Sequence, residues 1–348
     1  MAEDKTDKKM GWEIAHEVEK EKPTMGARAM LSKKQLLQIA KYLVSFVILF
    51  LIAAWLAGNP FEYTQRIPSD YIRSRGWVGT DEWAIIWWVV VMCAFFEFLD
   101  SSAGMGYGTA LSPLMMSVGF DPEQIVPLIM ITEMLTGFTA GLVHSEMENV
   151  EWKWWPPNET TKLVIGVAIT GMLASAISIT AVYKILQLHK FWVKFYVTIL
   201  LIGMGVTSLY TAKSYKKYHP NWMWGFAFLG GFNKGVGGGG YGPVITVGGV
   251  IAGVPVKSMV AVTSYAEAFT CVSAVITWGT MIGTGTIVDF GLLPSMVCGT
   301  ILAAVGAPYM TRVFSEKVWK WVIPIYCCAL AVYAFFKLWP DIQKRLLS

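Results

Sequence analysis

The chain has 348 residues, of which 55% are hydrophobic and 15% charged, with 16 Trp, a mean hydropathy of +0.49 and a formal charge of +4. This composition excludes an ordinary soluble domain, and the basic residues form no aromatic-interleaved face of the kind that grips nucleic acid. Four scattered histidines and five cysteines, each cysteine in an apolar segment, give no metal-ligand spacing, so no metal or cofactor is expected.

Residues 1–25 carry dense charge of both signs (Asp4, Lys5, Lys8, Glu17, Glu19, Lys22), which predicts a solvated, flexible tail. Arg28, Lys33, Lys34 and Lys41 then sit among leucines over 27–41, the pattern of a short interfacial helix, so that 1–39 forms an N-terminal unit. The first apolar run starts near residue 40, too late for a cleavable signal peptide, and its basic flank predicts a cytoplasmic N-terminus. A span over about 42–58 and a polar connector containing Arg66, Arg73 and Arg75 complete the unit 40–82.

From residue 83 the chain repeats itself. An offset of 134 residues sets Phe98, Gly104, Gly106, Tyr107, Gly108, Gly119, Val126, Glu133, Thr136 and Ala140 on Phe232, Gly238, Gly240, Tyr241, Gly242, Gly253, Val260, Glu267, Thr270 and Ala274 without a gap. The same offset sets Asp100 on Lys234, which places opposite charges at matched positions. In the first copy (83–212) a helical arm over Trp83–Leu99, a break at Asp100–Gly108 and a short arm at Ala110–Val118 precede spans at about 124–145, 162–185 and 192–212. After a basic loop at 213–221 (Lys213, Lys216, Lys217), the second copy (222–340) has a hairpin at 222–252 and spans at about 257–282, 287–310 and 318–339, followed by a tail at 341–348.

The hairpin arms are too short to cross a bilayer comfortably once the break is removed. Each hairpin therefore enters and leaves on one side, and the odd number of crossings inverts the second copy; two crossing arms would instead make the copies parallel. The predicted fold is an all-α polytopic membrane protein of two inverted repeats with one additional N-terminal transmembrane helix.

The candidate site lies in the breaks. Gly230–Pro243 holds eight glycines in fourteen positions, and a helix interior loses about 1 kcal/mol per glycine. A broken helix in hydrocarbon leaves backbone groups unpaired, which is tolerated only around a cavity or a ligand. Free N–H groups at the restarting helices favour anions. Candidate substrate contacts are Asp100, Ser101, Ser102, Gly106, Tyr107, Gly108 and Thr109 in the first break, and Asn233, Lys234, Gly238, Gly239, Gly240, Tyr241 and Gly242 in the second. The alternative for the glycines is close helix packing. Lys234, as an intramembrane cation, either meets the anion or pairs with Asp100. Glu133 and Glu267, at matched positions within their spans, are candidate proton carriers or caps for the neighbouring breaks, and Glu97 is a third proton-coupling candidate. His144, near a span end, reads as interfacial.

The duplicated Gly-x-Gly-Tyr-Gly, with Gly237–Gly240 and Pro243 in the second copy, resembles the sulfite exporter TauE/SafE family, also called the toluene sulfonate uptake permease family, over about residues 83–339. That resemblance implies a secondary transporter, often an exporter, of small sulfur-containing anions such as sulfite, sulfonates or thiosulfate, in a bacterial or archaeal inner membrane. Ala103 and Met105 interrupt the glycines of the first copy, and the N-terminal tail and span are additions to the pattern. Expected partners are the anion, the lipid bilayer and coupling protons, with oligomeric state left open and no nucleic acid. The competing readings are an anion channel with the same lining, and a membrane enzyme acting on sulfur compounds through Cys271, for which the sequence assembles no acid/base or metal set.

Overall fold

The computed structural model describes residues 10–58, 76–79, 83–186, 190–211, 218–283 and 288–346. The connector arginines Arg66, Arg73 and Arg75, the loop lysines Lys213, Lys216 and Lys217, and the first nine residues lie outside the described residues.

The fold is nearly all helical. Helices α1 (Ile14–Glu21), α2 (Met25–Ala29) and α3 (Lys33–Ala57) come first, then a short antiparallel ladder of β1 (Gly76–Gly79) and β2 (Ala84–Ile86). The helices α4 (Trp87–Ala103), α5 (Tyr107–Val118), α6 (Pro122–Glu146), α7 (Glu159–Ile179) and α8 (Lys190–Thr211) follow, with a π turn at Thr180–Ile185 after α7. The chain continues through α9 (Pro220–Gly237), α10 (Tyr241–Ile251), α11 (Val256–Ile282), α12 (Leu293–Val313) and α13 (Glu316–Leu346). Six of these are long and apolar enough to span a membrane: α3, α6, α7 with its π turn, α11, α12 and α13.

Several expectations are corrected here. The fold is not purely α, because Gly76 and Gly79 pair with Ile86 and Ala84 in a short ladder whose second strand Ser295 pins, its hydroxyl accepting from the Ile86 N–H and donating to the Ala84 carbonyl, each at 2.9 Å. The segment from residue 10 is not a solvated tail: Trp12, Ala15 and Val18 are buried, since α1 gathers its apolar residues on one face and leaves charges on the other. No separate interfacial helix ends at residue 41. Ser32 and Gln35 form a capping box that starts α3, which then runs unbroken into the first span. The span expected from residue 287 begins instead at Leu293, where Pro294 sits in the first turn, and α13 continues to Leu346, into the tail expected at 341–348.

The helices order themselves between two ends of the bundle. At the end where α1 packs, Gln35 donates to the Glu146 carbonyl (2.8 Å), the Thr160 N–H donates to the Met10 carbonyl, and Glu19 pairs with Lys257 (2.7 Å). At the opposite end, Ile86, Met115, Phe120, Ile125, Trp278 and Leu293 share one hydrophobic cluster. The pair α4–α5 has both outer termini at this opposite end, by Ile86 on one arm and Met115 and Phe120 on the other. The pair α9–α10 has both at the α1 end, where the His219 N–H donates to the Ala252 carbonyl (2.8 Å) and Tyr218 stacks edgewise on Trp12. The two hairpins thus enter the bundle from opposite ends and meet inside it.

Candidate functional site

Each hairpin turns over three residues. Helix α4 stops at Ala103 because Gly104 adopts φ +74° and its N–H closes on the Asp100 carbonyl, and α9 stops at Gly237 because Gly238 does the same at φ +73° on the Lys234 carbonyl. Helices restart at Tyr107 and Tyr241. The interruption is therefore narrower than Asp100–Gly108: Asp100, Ser101 and Ser102 complete the last turns of α4, and Asn233 and Lys234 lie inside α9. The left-handed glycine alone ends each helix, and the polar residues before it remain helical.

The turns lie against one another through three hydrogen bonds. Ser112 donates to the Gly237 carbonyl (2.7 Å), the Gly240 N–H donates to Thr109 (2.9 Å), and Thr246 donates to the Gly104 carbonyl (2.7 Å). A Cβ on Gly239 would come within 2.6 Å of the Gly108 carbonyl oxygen, so the backbones touch there without side chains between them. Gly106 packs beside Tyr326, and Gly242 beside the Gly104 carbonyl. The Tyr107 hydroxyl accepts from Thr132 (3.0 Å), and the Tyr241 hydroxyl accepts from Thr270 (3.4 Å).

Where the turns meet, the structure gathers charge. The ammonium of Lys234, fully buried, bonds Glu133 Oε2 and Glu267 Oε1, the latter at 2.7 Å. Glu133 Oε1 also accepts the Gly108 N–H at the start of α5 (3.1 Å), and Asp100 Oδ1 accepts the neighbouring Tyr107 N–H (3.3 Å). Asp100, Glu133 and Glu267 each place an oxygen within 4.8 Å of the others, close enough to share one cation, and the ammonium already serves two of them. Glu97 accepts from Ser101 through Oε1 (2.5 Å), while its Oε2 is buried with no hydrogen-bond partner. The ion pairs of Lys234 are thus with the two glutamates and not with Asp100, whose carboxylate turns to the α5 amide. Glu133 both caps a break and pairs with the lysine.

One ammonium faces four buried carboxyl groups, Glu97, Asp100, Glu133 and Glu267. An uncompensated charge in a dry interior is too costly to persist, so the excess must be met by protons or another cation. Asn233 also belongs to the site: Tyr196 donates to its Oδ1, and its Nδ2 is buried without a partner beside Gly240. A narrow cleft of about 20 Å3, room for a single water, reaches Gly108, Thr109, Ser112, Gly237 and Gly239, with Lys337 at its wall.

His144 is corrected from interfacial to fully buried: its Nε2 bonds the Ser101 carbonyl (2.9 Å) and its Nδ1 bonds Asn149 Nδ2 (3.0 Å). Asn149 Nδ2 also donates to the Pro308 carbonyl (2.9 Å), which ties the end of α4 to α12. A signal for it was present, since His144 stands eleven residues after Glu133, three helical turns along one face. Cys93, Cys271 and Cys327 are buried and, like Cys298 and Cys328, unbridged.

Six membrane-length apolar helices around an ion-paired lysine, set where two broken helices meet, define a multi-pass membrane protein with a charged interior site. Residues 89–334 match the model of the sulfite exporter TauE/SafE family, and the chain belongs to that family. It is similar to the probable membrane transporter protein YtnM of Bacillus subtilis (strain 168), with 26% identity over 234 residues, covering 64% of this chain and 73% of the relative. No solved structure matches the chain. Family and relative assign the protein to membrane transport.

Proposed function

We propose that the protein is a secondary active exporter of small sulfur-containing anions, such as sulfite, sulfonates or thiosulfate, coupled to protons, in a bacterial or archaeal inner membrane with its N-terminus in the cytoplasm. The observation that carries this reading is the buried Lys234–Glu133–Glu267 cluster at the meeting of the two turns in a TauE/SafE family member. Helix restarts at Tyr107 and Tyr241 aim N–H groups inward, and Asn233 Nδ2 adds an unmatched donor. The anion binds between the turns, against the backbone of Gly106–Thr109 and Gly238–Gly242. Glu133, Glu267 and Glu97 supply proton-binding groups.

Opposite entry of the two hairpins supports an inverted pair of repeats, 83–212 and 222–340, with α3 as an additional span. Such a pair can close one end of the bundle while opening the other around a fixed site.

The test is uptake of sulfite, thiosulfate and a small sulfonate into proteoliposomes, with and without an imposed pH gradient, for wild type and Lys234→Ala. Saturable flux that follows the gradient and collapses in the variant is expected. Unchanged flux in Lys234→Ala would refute the placement of the site.

A further inference from the structure

The two turns are alike in backbone and different in what occupies them. At the first, both leading amides of α5 are taken by carboxylates of the protein itself: Tyr107 N–H by Asp100 and Gly108 N–H by Glu133. At the second, Glu267 holds the position matching Glu133, yet among the described residues its one hydrogen-bond donor is Lys234. Among the described residues no carboxylate caps α10. Its leading end has instead the unpartnered, fully buried Asn233 Nδ2.

Glu133 therefore bridges two donors with its two oxygens, the start of a helix through Oε1 and an ammonium through Oε2. These are the two kinds of donor that recognise a small oxyanion. The narrow cleft that reaches Gly108 and Gly239 lies against the same turn.

We propose, building on the transport reading above, that Glu133 is a resident anion holding the substrate's place, and that the transported anion displaces it from the Gly108 N–H and Lys234 Nζ. Displacement strands a carboxylate in a dry site unless it gains a proton. A proton from water on the side of entry forms an O–H bond on the Glu133 carboxylate as the anion takes over the two donors. On release the O–H bond breaks, the proton passes to water on the other side, and Glu133 returns to the amide and the ammonium. One proton accompanies each anion in the same direction, so export is driven by the anion's own outward gradient and carries the proton out with it. Glu267 stays on Lys234 throughout and sets the ammonium's position.

The groups facing Glu133 are Lys234 from α9, Glu267 and Cys271 from α11, and Asp100 and Glu97 from α4. Of the carboxylates, Glu133 alone touches both Lys234 and a helix-start amide, which singles it out as the group that must move.

The experiment uses methanesulfonate, whose charge is constant from mildly acid to mildly alkaline pH, and measures its binding to the purified full chain by intrinsic tryptophan fluorescence across that range. Linkage requires wild-type affinity to weaken about tenfold per pH unit wherever Glu133 is ionised in the free protein. In Glu133→Gln the slope is lost and affinity is high at every pH, while Glu267→Gln keeps the wild-type slope. In weakly buffered solution, wild type takes up one proton per anion bound, a readout independent of any variant. A flat wild-type profile, an unchanged slope in Glu133→Gln, or binding without proton uptake overturns the proposal. Wild type that binds none of methanesulfonate, sulfite and thiosulfate refutes the sulfur-anion reading of function instead. Chloride and nitrate then decide the competition: binding to Glu133→Gln at all pH values and to wild type only on the acid side supports it, and equal binding to both proteins overturns it.

Discussion

Replacing Lys234 by Met tests the cluster most directly. Methionine nearly matches the length of lysine, so the substitution opens little space, and its effect is that of removing a charge. Lys234 is fully buried and joins Glu133 and Glu267, which arrive on different helices, α6 and α11. Removing one partner of a buried ion pair costs about 3–5 kcal/mol, because the remaining charge stays behind in a dry site. Glu133 keeps the Gly108 N–H as a partial replacement, whereas Glu267 loses the one donor it has among the described residues. The assay is heat-induced loss of folded, monodisperse protein in detergent at neutral pH. Lys234→Met should melt well below wild type, and its deficit should shrink in acid, where protons remove the stranded charges. The triple variant Lys234→Met/Glu133→Gln/Glu267→Gln should recover most of the loss, since it leaves no unpaired ion. A single variant within about 1 kcal/mol of wild type, the scale of an ordinary substitution, or a triple variant no more stable than the single one, would refute the reasoning.

Three further outcomes follow from the packing. Gly239→Ala would set a methyl group 2.6 Å from the Gly108 carbonyl oxygen and the Thr109 Cα, so it should destabilise by about 1–3 kcal/mol in the same melt and abolish flux, while Gly306→Ala, with nothing within 4 Å, should be neutral or slightly stabilising. Thr246→Val removes the donor to the Gly104 carbonyl and the Thr263 contact, leaving a buried acceptor, and should lower stability by about 1–3 kcal/mol, with hydrogen exchange rising at the first turn. Glu19→Gln breaks the contact with Lys257, which is only 2% exposed, and should speed proteolysis near residue 20 while leaving tryptophan fluorescence of the bundle core unchanged.

Much of the architecture is legible in the sequence because glycine and ionised side chains are rare in apolar segments, and each stands out. Gly104, Gly238 and Lys234 announce themselves in this way. What the sequence conceals is who meets whom. An offset that sets Lys234 on Asp100 expresses equivalence of position, and contacts run instead between positions that are not equivalent, from α9 to α6 and α11. The reach of the helices into the turns is hidden for a similar reason. Asp100, Asn233 and Gly235 look like breakers by propensity, but tertiary packing keeps them helical until a left-handed glycine is required. In the N-terminal segment, dense charge masks the few residues that bind it down, Trp12, Ala15 and Val18. The Ser101–His144 bond joins stretches 43 residues apart, and the spacing from Glu133 shows the face of His144 but not its partner.

The N-terminal segment carries a consequence for comparison among relatives. Lys257 and Arg312 fall within the family-matched stretch, 89–334, yet Lys257 pairs with Glu19, and Arg312 donates to the Arg28 carbonyl, both outside it. Arg28 in turn donates to the Val313 carbonyl. Within the matched stretch Arg312 also pairs with Glu148 and Lys257 donates to the Arg312 carbonyl, but the ion pair of Lys257 and one hydrogen bond of Arg312 come from residues outside it. A relative without an equivalent of residues 10–29 cannot keep a buried lysine and arginine at these places at no cost, so the two basic positions and the leading segment should be gained and lost together.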